Sequence, residues 1–248
     1  MINRSWSKLI VGIIAYGMLC IGLSAETVRL TSLHWPPYSG QQLRNQGASV
    51  AVARAAFNAM GHQLEVDFYP WSRAVKLASK VNGAYVGYFP EYYFDTQDFV
   101  FSTSMGMSPL GLVEKQSHPI SWVQLADLNQ YTLGVVKDYV NTIELDTMIA
   151  NGQQPVELVT SDENNIKKVA AARIDAAVID IYVLRYLLNQ SNLESLKSRV
   201  QMNRSLLANK HLYVAFQNTE QGRKWREIYN QGLERIDVAT ILAENLPE

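Results

Sequence analysis

Asp180 is a candidate for ligand contact. It closes the apolar run Ala176-Ala177-Val178-Ile179 and stands just before residues 182–188, whose apolar spacing is helical. A carboxylate at the carboxyl end of a buried strand lies where open α/β sheets present groups to a ligand. A position one step ahead of a helix also asks for an N-cap, and Asp serves there equally well. Aromatic rings supply a second ingredient. Trp71 opens a helical stretch, and Tyr88 and Phe89 end a short aromatic one. Such rings pack cores as readily as they line clefts. In a cleft, rings together with Asp180 suit a cationic or amine-bearing ligand through ion pairing and cation–π attraction. Arg73 follows close after Trp71. Its guanidinium either forks onto an anion or lies on the surface with its stem over the helix.

Other chemistries lack their residues. His34, His62, His118 and His211 are scattered and form no HExxH pattern. No G-x-S-x-G elbow supports a hydrolytic serine, and no phosphate-cradling glycine loop is present. No cofactor is expected.

The elements that would hold these residues follow from length and pattern. The chain has 248 residues, 48% of them hydrophobic and 18% charged, with 22 Lys+Arg against 23 Asp+Glu for a net charge of -1. That is enough for a substantial core, and it lacks the basic excess of a phosphate-backbone binder, so nucleic acid is not an expected partner. Arg4 and Lys8 precede an uncharged apolar run over residues 9–23, which ends at the small pair Ser24-Ala25. The run falls short of the roughly 20 residues of a membrane span and reads as a secretory signal peptide over residues 1–25, a retained anchor being the alternative. Cleavage after Ala25 removes Arg4, Lys8 and Cys20, the sole cysteine, leaving 20 basic against 23 acidic residues. Thiol chemistry is then excluded, and the expected location is the periplasm.

Beyond the leader, short β-rich segments alternate with helical ones. Residues 28–33, 64–68 and 84–89 read as strands, with helices over 47–60 and 71–79 between them. The pattern resumes with strands at 131–136, 156–159 and 176–179, separated by helices over 141–150 and from Thr160 onward, where Thr160 and Glu163 fit a capping box. A strand at 212–216 leads, after an Asn218/Gln221 cap, to a long amphipathic helix carrying Trp225, Ile228, Tyr229, Leu233 and Ile236. This order argues for an α/β fold with parallel pairing.

The ordered set Trp35-Pro36-Pro37-Tyr38, Tyr69-Pro70-Trp71-Ser72-Arg73-Ala74, Asn82-Gly83-Ala84, Phe99-Val100-Phe101-Ser102, Trp122 to Leu128, Leu133-Gly134-Val135-Val136 and Ala172 to Asp180 resembles the bacterial extracellular solute-binding proteins of family 3, the polar amino-acid receptors of ABC transporters. The resemblance runs over essentially the whole chain after the leader. It implies a Venus-flytrap fold of two α/β lobes joined by two crossing segments, near Leu112-Val113-Glu114 and near Tyr213-Val214-Ala215. Residues 26–112 with 214–248 would form lobe one, and residues 113–213 an inserted lobe two. It further implies that Asp180 meets a ligand ammonium, that Tyr38 is an aromatic lid, and that Tyr139 stands near the solute. The arginine that holds the ligand carboxylate in such relatives matches Asp95 here, and no arginine occurs between Lys80 and Lys115. Arg73 is the available substitute.

The expected function is a monomeric periplasmic receptor that captures a small polar solute, an amino acid or amine, for an inner-membrane ABC permease, without catalysis. Two alternatives stay open. One is a cyclohexadienyl dehydratase-like enzyme using Glu220, Glu227 or Glu234. The other is a non-catalytic sensory or protein-interaction module.

Overall fold

The structure is a computed structural model and describes residues 25–247; the expected leader, Ala25 apart, lies outside the described residues, and Cys20 with it. The first half lays down β1 (Thr27–Ser32), α1 (Ala48–Ala59), β2 (Gln63–Phe68), α2 (Trp71–Ala78), β3 (Gly87–Glu91), β4 (Phe99–Phe101) and β5 (Gly106–Lys115). The second half adds β6 (Leu133–Val136), α3 (Ile143–Ala150), β7 (Val156–Val159), α4 (Asp162–Ala170), β8 (Ala176–Asp180), α5 (Ile181–Leu188), β9 (Val200–Met202), β10 (Ala208–Gln217), α6 (Glu220–Leu233) and α7 (Val238–Asn245).

Strand order across the sheet is β2-β1-β3-β10-β5-β8-β6-β7, with β4 on β10 and β9 on β5. β1 pairs in parallel with β2 and β3, and β6 in parallel with β7 and β8, so each lobe carries its own parallel set. The long strands β5 and β10 join them. Gly106–Leu110 runs antiparallel to Ala208–Leu212. Beyond that ribbon each strand changes partner: Leu110–Glu114 pairs with β8, while Tyr213–Gln217 pairs with β3 and β4. The lobes therefore meet at a two-stranded ribbon, and Leu112–Glu114 and Tyr213–Ala215 already lie inside the sheets of lobes two and one.

Burial follows the apolar pattern. In lobe one, Phe57 of α1 packs against Trp225 and Tyr229 of α6, with ring centroids 6.2 and 5.2 Å apart. The helices approach so closely that a Cβ on Gly232 would stand 2.2 Å from the Ala56 carbonyl oxygen. Gly47, at φ +101°, lets the chain turn into α1 beneath the Tyr38 carbonyl, where a Cβ would clash at 2.5 Å. Lobe two closes over Leu112, Leu128, Leu133, Leu145 and Val178. Each such side chain, fully buried, contributes about 1.5–3 kcal/mol.

Several boundaries differ from expectation. The N-cap of α4 is Ser161, whose Oγ accepts from the Asn164 amide, rather than Thr160; that of α6 is Thr219 rather than Asn218. The final amphipathic stretch is two helices, because Asp237 caps a new start at α7. Among the described residues no helix is long and apolar enough to cross a membrane.

Candidate functional site

The carboxyl ends of the parallel strands converge where the lobes face each other. Asp180 ends β8 and caps α5: its Oδ1 accepts the Val183 amide at 2.9 Å. Its Oδ2 accepts two hydroxyls, from Ser108 of β5 at 2.6 Å and from Tyr38 of the loop after β1 at 2.9 Å. Tyr38 divides its hydroxyl hydrogen between Asp180 and the Met107 carbonyl, 3.1 Å away. Ser108 in turn shares a 2.6 Å bond with the hydroxyl of Tyr92, just past β3. This chain of polar groups ties lobe one through the ribbon to lobe two. Burial raises the Asp180 pKa to about 6, with the Ser108, Val183 and Tyr38 hydrogen bonds pulling it back.

Beside this bridge lies a cleft open to solvent, whose empty space, the open mouth included, comes to about 540 Å³. Trp35, Trp71, Tyr92 and Tyr139 supply aromatic walls, and Glu91, Asp162 and Asp180 supply carboxylates; no Lys, Arg or His lines it. Glu91 ends β3, accepting the Tyr92 amide at 2.7 Å and the Tyr88 hydroxyl at 3.3 Å, and burial lifts its pKa to about 8. Asp162 opens α4 after β7 and is only 8% exposed. Burial, then the neighbouring Asp180 charge, lifts its pKa to about 7, the Trp35 indole and its own amide opposing. Among the described residues no cluster of His, Cys, Asp and Glu is placed to hold a metal ion.

The side chains singled out from sequence divide by position. Trp71 and Tyr139 line the cleft from opposite lobes, edge to face with centroids 6.4 Å apart. Asp180 lines it while also capping a helix. Tyr38 is not a lid. It is fully buried, stacked on Trp35 at 4.6 Å, and serves as a strut to Asp180. Tyr88 stands behind Trp71 in the lobe-one core, centroids 5.3 Å apart. Arg73 does not enter the cleft: it is exposed, its guanidinium 5.0 Å from the Tyr69 ring centroid, because its turn of α2 faces away while Trp71 faces inward. It cannot replace the missing arginine. Asp95 is exposed as well and accepts from the Tyr93 hydroxyl at 3.2 Å. Glu220, Glu227 and Glu234 lie on the solvent face of α6 or just past its end, away from the cleft.

Sequence reading missed Glu91, Asp162, Trp35 and Tyr92. An acid in the first turn of a helix is ordinary dipole compensation, and an acid at a strand end usually just meets solvent. Only their shared place after parallel strands marks them. A second bridge, from the Ser72 hydroxyl to Asp138, joins α2 to the loop after β6.

No protein-family model matches the sequence, and a search of curated proteins returns no match. Solved structures do match. A histidine kinase sensor domain with similarity to periplasmic binding proteins superposes with a TM-score of 0.74 at 17% identity, over 90% of this chain and 97% of that one. The fold is that of the Venus-flytrap periplasmic binding proteins. An ancestral arginine-binding protein bound to arginine gives 0.71 at 15% identity over 88% and 97% of the two chains. The GluR0 ligand-binding core from Nostoc punctiforme, in complex with L-glutamate, gives 0.68 at 18% identity over 88% and 96%.

Proposed function

We propose that this protein is a solute-binding receptor of the family 3 type, exported to the periplasm after loss of residues 1–25. It captures a small polar solute, an amino acid or amine, for an inner-membrane ABC permease and performs no chemistry on it. The observation that carries this reading is the cleft itself, lined from both lobes and spanned by the Tyr38–Asp180 bond. A solute touching both lobes has more partners in the closed form than in the open one, and that difference in affinity is what shifts the population toward closure. The bodies that move are lobe one, residues 26–105 with 213–247, and lobe two, residues 111–207, turning on the ribbon of β5 and β10.

Native mass spectrometry of the protein purified from its own periplasm tests the reading. A bound small molecule is expected, and re-adding it to stripped protein raises the melting temperature by mass action. Loss of uptake of that solute in a deletion strain ties the receptor to transport. Retained uptake with a lost transcriptional response would instead assign a sensory role, the role of the kinase domain that shares this fold.

A further inference from the structure

The charge of the cleft lining says more than its shape. Its ionisable side chains, tyrosines apart, are Glu91 from lobe one and Asp162 and Asp180 from lobe two, all of them acids. Asp180 is already engaged on both oxygens by Val183, Tyr38 and Ser108. Glu91 is partly engaged by Tyr92 and Tyr88. Asp162 differs from both. It is more than nine-tenths buried and faces the cleft; the Trp35 indole and its own amide lean on its carboxylate, but among the described residues no Lys or Arg pairs with it. A buried acceptor left in that condition costs free energy, and a positively charged donor entering from outside recovers it.

The positions that would welcome a ligand's own carboxylate are occupied. Helix N-termini are the natural seat for such a group in an α/β cleft. Asp180 caps α5 and Asp162 fills the first turn of α4, so both seats hold protein carboxylates. Lys210 stands nearby, with Nζ 5.0 Å from the Tyr92 ring centroid, but outside the lining. A ligand acid group seated among these side chains would meet acids, since Lys137 and His34 line only the adjoining hollow that shares Trp35, Trp71, Tyr139 and Asp162 with the cleft.

Resting on the solute-binding reading, we propose that the cleft takes a small organic cation carrying no carboxylate, an alkyl amine or alkyl guanidine. Asp162 is its ion-pair partner, and Trp35, Trp71 and Tyr139 are its aromatic walls. The ligand class is thus that of a decarboxylated basic amino acid rather than the amino acid itself.

Calorimetric titration of the purified protein with matched pairs tests this: agmatine against arginine, and cadaverine against lysine. The decarboxylated member of at least one pair should bind at least about 100-fold tighter than its parent, because the parent must bury an unanswered acid group. Asp162→Asn should weaken that binding at least about tenfold while circular dichroism stays unchanged. Equal or tighter binding of the amino acids overturns the inference and leaves the receptor reading intact. So does binding of some other solute with none of these amines. Unaltered amine affinity in a folded Asp162→Asn variant also overturns it. Should that variant fail to fold, the matched pairs on the unaltered protein still decide. Failure of these compounds and of a broad metabolite panel would bring down the receptor reading as well.

Discussion

Two buried carboxylates, Glu114 in the body of lobe two and Asp162 in the cleft, show how burial alone fails to mark a site. Glu114 is 1% exposed, yet it accepts the Ile120 amide at 3.0 Å, the Gln201 amide side chain at 2.8 Å and the Asn203 side chain at 2.6 Å. Its acceptors are filled, it adjoins no cleft, and its work is to hold the turn after β5 against β9. Asp162 is buried almost as deeply, but it faces the cleft with only the Trp35 indole and its own amide leaning on it. The first carboxylate is finished by the protein's own chain; the second is left to be finished by a ligand.

Substitutions should separate the two. Glu114→Leu strands donors inside lobe two and is expected to cost about 3 kcal/mol or more in urea unfolding. A much smaller loss would mean that the cluster is not the structural anchor described. Tyr38→Phe removes one hydroxyl from the bridge and leaves Asp180 its Ser108 and Val183 partners, so about 1–2 kcal/mol is expected from the same measurement. A loss confined to ligand affinity would return Tyr38 to the role of a lid.

Asp162→Asn should act with the opposite sign at neutral pH and above. The folded pKa of Asp162, about 7, lies above the ordinary 3.8, so the folded form holds its proton more tightly than the unfolded chain. Stability is full in acid, falls as pH rises from about 4 toward 7, and stays reduced above that. Unfolding near pH 8 should find the unliganded variant as stable as the parent or more so, with the difference vanishing near pH 4. A variant destabilised at both would place Asp162 with Glu114. The smallest effect belongs to Arg73→Ala, which should leave solute affinity unchanged by titration, since Arg73 stands on Tyr69 outside the cleft. A large loss there would show that α2 turns its other face inward on closure.

Much of the fold was legible in sequence because its inner strands, such as β6 and β8, are buried on both faces and read as short apolar runs; residues 176–179 became β8 on that basis. The caps slipped by one residue at α4 and α6, since neighbouring Thr, Ser and Asn side chains all satisfy the same amide and type alone does not choose among them. The ribbon of β5 and β10 was shifted for a different reason: a strand that changes partners keeps its β pattern through the change. The cleft was the least legible part. Trp71 and Arg73 are two residues apart and point to opposite surroundings, an outcome set by how α2 docks on β1 and β3 rather than by local pattern. Asp162 and Glu91 carry no local mark at all, because each becomes distinctive only through what faces it from other strands.

Since β5 and β10 each belong to both sheets, the molecule cannot be parted along its groove without severing two inner strands. A chimera that exchanges one half with that of a related receptor has to be grafted within Gly106–Leu110 and Ala208–Leu212 together, with the splice matched rung for rung. Joined elsewhere, the recipient inherits a strand whose neighbour stayed with the donor.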